Sequence, residues 1–126
     1  MHFKTDTKEK FSVITPEEQE ISANMADELM DYLHSFLQRP VPHVIFNAKH
    51  IERMADVVLT RIIETQQLFY SDNHSFVVCE LSPEIIEQLK KQDLLDEINA
   101  TPTESEAWDI VQMEEIEREL LKDFED

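Results

Sequence analysis

The 126-residue chain contains no glycine. Average usage would put about nine in a chain of this length. Phosphate sites built on glycine are thereby excluded. The dinucleotide fingerprint, the P-loop and the kinase glycine loop all need a residue without Cβ where backbone meets phosphate. The charge points the same way. With 28 acids against 11 Lys and Arg, the chain carries −17 at pH 7, which repels nucleic acid and anionic membrane surfaces. Hydrophobic residues make up 41%, enough for one core. The lone cysteine, Cys79, rules out an intrachain disulfide and fits a reducing compartment. The start, Met1 to Asp6, lacks the apolar run of a signal peptide, and no apolar run approaches the ~20 residues of a membrane span. The expected location is the cytoplasm.

Short strand-like runs alternate with longer helical ones. Phe3 is weakly strand-like, and Phe11 to Ile14 alternates before the turn signal Thr15-Pro16. Ala26, Leu29, Met30, Leu33, Phe36 and Leu37 share a helix face that Pro40 and Pro42 close. Val44-Ile45-Phe46 reads as a buried strand, Val57 to Phe69 as a helix, and Ser75 to Cys79 as the strongest strand. Ser82-Pro83-Glu84 caps a third helix carrying Ile85, Ile86 and Leu89. Leu94 to Ile98 is expected to form a last short strand. Thr103 and Glu106 have capping-box spacing at the start of the final helix. Ala107, Ile110, Met113, Ile116 and Leu120 make an apolar stripe along it, which either packs on its own sheet or pairs with a second copy. Strands alternating with helices predict an α/β fold, four to five strands of mixed sheet packed against four helices in one domain over 1–126. Residues 81–126 hold 15 of the 28 acids but 4 of the 11 bases. Acids crowd the end of the last helix, against its dipole, so this end is expected to fray or to lean on a partner.

A search for chemistry returns little. His2, His34, His43, His50 and His74 show no paired ligand spacing and read as scattered surface or boundary residues. Cys79, within a strand, reads as a buried inert thiol. The acids of the last helix cannot wrap a calcium ion from one straight helix. No nucleophile elbow is present. Neither an enzyme, a cofactor nor a metal is expected.

The order of elements resembles the STAS domain, the family of bacterial anti-sigma-factor antagonists. The resemblance rests on Phe11 to Ile14, Met25-Ala26-Asp27-Glu28-Leu29, Val44-Ile45-Phe46-Asn47, Ser75 to Glu80 and the entry to the last helix at Thr101 to Ala107. Residues 113–126 look like an acidic helical extension found on some stand-alone members. The family carries Asp-Ser-Ser-Gly in the loop after its third strand, where a partner kinase phosphorylates a hydroxyl. Aligned without gaps, this chain places Ala55, Asp56, Val57 and Val58 there; shifted by one, both serine positions fall on valine. The phosphoacceptor-equivalent positions, Asp56 and Val57, therefore have no hydroxyl. Thr60, the nearest, falls about one turn into the helix. Asp56 is either a permanent weak substitute for the missing charge or a plain acid at a helix N-terminus.

The resemblance implies a non-catalytic module that regulates a protein partner, an anti-sigma factor or related serine kinase, without phosphorylation at the usual site. The expected contact surface is Asn47 to Leu59 with the exposed face of the second helix, centred on Asn47, Arg53, Met54, Asp56 and Val57. Arg and Met are over-represented at interfaces, so Arg53→Glu with Met54→Asp is expected to weaken binding without unfolding the domain. Alternatives are a scaffold subunit docking a basic partner through the acidic last helix, a homodimer through that helix, and a degenerate receiver-like domain. The last would need an Asp where Asn47 stands.

Overall fold

Among the described residues, seven strands and four α-helices follow one another: β1 (Phe3–Thr7), β2 (Ser12–Pro16), β3 (Glu20–Ile21), α1 (Ala26–His34), β4 (Val44–Asn47), β5 (Arg53–Met54), α2 (Asp56–Ser71), β6 (Phe76–Cys79), α3 (Pro83–Lys91), β7 (Ala100–Thr101) and α4 (Glu104–Glu125). This computed structural model describes the backbone of residues 1–125 and the side chains of residues 1–122. Asp126 and the side chains of Asp123 and Glu125, part of the expected acidic tip, lie outside the described residues. The main sheet has the order β1-β2-β4-β6-β7. The β1 strand is antiparallel to β2, and the other pairs are parallel. The second sheet is small: β3 pairs with β5, Glu20 opposite Arg53 and Ile21 opposite Met54.

The twofold period of the central strands divides their side chains between two cores. Ile14, Val44, Phe46, Phe76 and Val78 join the larger core beneath α1, α2 and α3. Val13, Ile45, Val77 and Cys79 face the other way and pack with Ala107 and Val111 of α4. Both faces of the sheet are covered, so Val44 to Phe46 of β4 and the whole of β6 read as unbroken apolar runs.

Without glycine, left-handed backbone positions fall to other residues. Asn73 (φ 62°), Glu80 (φ 57°) and Asp93 (φ 55°) occupy them. Asn73 and Asp93 follow the ends of α2 and α3 in Schellman caps. After α2, the His74 N–H donates to Phe69 O at 2.8 Å and the Asn73 N–H to Tyr70 O at 3.0 Å. After α3, the Leu94 N–H donates to Leu89 O at 2.9 Å and the Asp93 N–H to Lys90 O at 3.2 Å. Asn and Asp tolerate this region better than other residues with a Cβ. Glu80 is the unusual one, and it stands beside the candidate site.

One sequence expectation fails. Leu94 to Ile98 forms turns, and the last strand is Ala100–Thr101. Leu94 and Leu95 pack against the larger core from those turns. Gln66 fixes the segment, donating to Glu97 O at 3.0 Å and accepting the Asn99 N–H at 2.7 Å. The apolar stripe of α4 meets the core only along its first turns. Ala107 and Val111 are buried and Ile110 is half-buried, whereas Met113, Ile116 and Leu120 are exposed. The apolar sheet face meets only the first turns of α4, so the periodic pattern beyond Val111 has no core to face. The Thr103 hydroxyl does cap α4, accepting the Glu106 N–H at 3.3 Å.

Candidate functional site

The chain leaves the sheet at Asn47 and returns to helix at Asp56, making a corner at the C-terminal ends of the parallel strands. Lys49, His50, Glu52 and Arg53 are exposed on it, while Ala48 and Ile51 are buried anchors. Its backbone is fixed from three sides. Glu52 N–H and Arg53 N–H donate to Gln19 O at 2.7 and 3.2 Å, and Ala55 N–H to Ile21 O at 2.9 Å. The Ser82 hydroxyl, which caps α3, donates to Glu52 O at 3.0 Å. Gln88 of α3 donates to Met54 O at 2.9 Å. With its backbone groups satisfied by neighbours, the corner is a fixed platform.

The expected contact residues divide into two groups. Arg53, Asp56 and Val57 are exposed together, Val57 by 46%. Arg53 approaches Glu20 at 3.4 Å across two well-exposed side chains, a pair worth little and open to exchange for a partner's carboxylate. Asp56, the first residue of α2, accepts from the side-chain amides of Gln88 and Gln92, the latter at 2.6 Å. Its carboxylate ties α3 to the start of α2.

Asn47 and Met54 are buried, at 1% and 4% exposure. Met54 belongs to the larger core, so Met54→Asp would bury a charge and damage the fold. The double change expected from the sequence is therefore the wrong probe. Asn47 is an internal clamp. Its amide nitrogen donates to Glu80 Oε2 at 3.2 Å and Glu104 Oε1 at 2.9 Å, and its oxygen accepts the Lys49 N–H at 2.9 Å. Trp108 Nε1 donates to Glu104 Oε2 at 3.1 Å. Beneath the clamp the Cys79 thiol is buried and pushed up to about 12, first by burial, then by Glu80 and Glu104.

Sequence reasoning missed a second cluster at the opposite end of the sheet. His43 and His74, 31 positions apart, approach edge to face at 5.8 Å between ring centroids. His43 is buried. Its Nδ1 accepts the Ser75 N–H at 2.9 Å, leaving Nε2–H to donate to Glu115 Oε2 at 2.7 Å. Burial lowers its pKa against the opposing pull of Glu115. Arg118 donates to Ser75 Oγ at 2.9 Å, and Tyr70 to Glu114 at 2.8 Å. An open cavity of about 610 Å³ adjoins this cluster, lined among others by Lys10, His74, Arg118 and Lys122. The position of His43 just before the strand at Val44 was the available sequence signal.

The sequence profile of the STAS domain matches residues 2–107. The chain belongs to the STAS domain family. Solved structures share the fold at low identity. A Thermotoga maritima protein described as a candidate anti-sigma factor antagonist matches with TM-score 0.78 at 16% identity, over 87% of this chain and 94% of that one. An anti-sigma factor antagonist from Mycobacterium paratuberculosis matches with TM-score 0.75 at 17% identity, over 88% and 93%. The Bacillus cell fate determinant SpoIIAA in its phosphorylated form matches with TM-score 0.63 at 16% identity, over 87% and 99%. No curated protein sequence matches the chain. Family membership, with the antiparallel β1 strand of this STAS sheet, replaces the receiver-like reading. Among the described residues, no helix is long and apolar enough to cross a membrane.

Proposed function

We propose that this STAS domain is a non-catalytic antagonist-like module that binds a cytoplasmic anti-sigma factor of the serine-kinase type through the corner at Lys49 to Val57 and the exposed side of α2. One observation carries the reading. The corner is a fixed, exposed platform at the start of α2, and Val57 stands on it where the family resemblance places a phosphoacceptor. Residues 48–59 contain no Ser, Thr or Tyr. Arg53 supplies an exchangeable charge, and Val57 and Leu68 supply exposed apolar surface on α2. Binding here is constitutive, because the covalent anion that would interrupt it has no attachment point.

The test uses a purified kinase-type anti-sigma factor with ATP and Mg²⁺. The wild-type domain is expected to bind without gaining phosphate, and Arg53→Glu with Val57→Asp to weaken binding about tenfold at unchanged thermal stability. Val57→Ser is expected to become a phosphate acceptor. Unaltered affinity in the folded double variant defeats the assignment of the surface, and phosphate uptake by the wild-type domain defeats the claim of constitutive binding.

A further inference from the structure

The second half of α4 is amphipathic in the reverse sense. Its inward residues are polar: Glu114 meets Tyr70, Glu115 meets His43, and Arg118 meets Ser75. Its outward residues are apolar: Met113, Ile116 and Leu120 are 59%, 56% and 53% exposed. At 3.6 residues per turn these three fall in one narrow stripe, on the side opposite buried Val111. A helix that rests its half-buried polar face on its own domain and leaves its apolar face in water lacks its outer cover. The stripe lies beyond residues 2–107, which the family profile matches.

We infer that this stripe docks a basic amphipathic helix of a partner protein. Exposed Glu117 and Glu119 flank the stripe, and exposed Asp109 and Glu106 continue its line toward the helix start. The helix sequence holds nine acids and two bases, Arg118 and Lys122, and Arg118 is turned inward onto Ser75. A second copy of the chain would set these acidic rails against their own like, in parallel or antiparallel pairing. A partner helix with an apolar stripe between Lys or Arg rows would cover Met113, Ile116 and Leu120 and neutralise both rails. This surface is separate from the corner. The α4 helix begins near Asn47 and passes His43 at the other end of the sheet, along the sheet face whose core is separate from that beneath α2. The inference therefore stands or falls independently of the proposed function.

The experiment uses the whole chain and three synthetic 20-residue peptides: one with a leucine stripe between lysine rows, one with glutamate rows instead, and one with the first peptide's composition shuffled to break the stripe. The lysine-row peptide is expected to bind about tenfold more tightly than the shuffled one, and the glutamate-row peptide not at all. Ile116→Gln with Leu120→Gln should reduce binding about tenfold without altering the thermal melt, whereas Arg53→Glu should leave it intact. Equal binding of the shuffled peptide, or no effect of the Gln pair in a folded protein, overturns the inference. So does sedimentation of the wild-type chain as a dimer that the Gln pair dissociates, which would make a second copy the occupant.

Discussion

His43 shows how one side chain is fixed by what it cannot do. Its Nδ1 faces the Ser75 N–H, so a proton there would set donor against donor. Burial discourages the charged ring, and Arg118 and His74 add to that, while Glu115 favours it. The lowered pKa gives stability a definite direction with pH. The unfolded chain takes up this proton as pH falls through about 6.5, while the folded ring resists. Stability is therefore full above that value and declines below it, until the folded ring is protonated as well. Between pH 7 and pH 5.5 the wild-type urea midpoint should fall further than that of His43→Gln, the carboxylates titrating in both proteins. Parallel midpoints would remove His43 from the account, and ¹⁵N shifts at pH 7 should show the Nε2–H tautomer.

Helix ends, at the scale of elements, carry the consequence of having no glycine. Both α2 and α3 close with Schellman caps whose left-handed residue has a Cβ. A left-handed conformation costs roughly 1–2 kcal/mol for most residues and less for Asn and Asp, and of these two Asn is the one that helix C-caps favour. Asp93→Gly should therefore raise stability by about 0.5–1 kcal/mol, less than the full penalty because glycine also frees the unfolded chain. Asn73→Gly should change it by less. Chemical denaturation separates the two, and an equal gain at both sites would contradict the argument. The corner was legible in the sequence as a break between the strand at Val44 and the helix at Val57. That Met54 would be buried was not, because β5 is two residues long and its direction is set by pairing with β3. No local pattern of Met54 and its neighbours states which side meets the core.

At the scale of the whole molecule the excess of acid dominates. A charge of −17 on 126 residues repels itself in the compact state. Salt that shortens the Debye length from about 30 Å at 0.01 M to about 8 Å at 0.15 M should raise the melting temperature. Calorimetry across that range would show a rise of a few degrees, and a fall would mean that ion pairs outweigh the net repulsion. The same excess repels polyanions and attracts basic surfaces, and on this ground the stripe inferred on α4 would prefer a basic helix.

The order of the longer strands and the helices, the caps at Ser82 and Thr103, the apolar central strands and the absence of a hydroxyl from residues 48–59 all follow from the sequence, because each depends on neighbours within a turn or on a short period. The tertiary structure decided which half of α4 finds a core, that Asn47 clamps two carboxylates from distant segments, and that His43 meets Glu115 across 72 positions. A helical period states that a face is apolar. Only the extent of the sheet beside it determines whether that face is buried or left for another molecule.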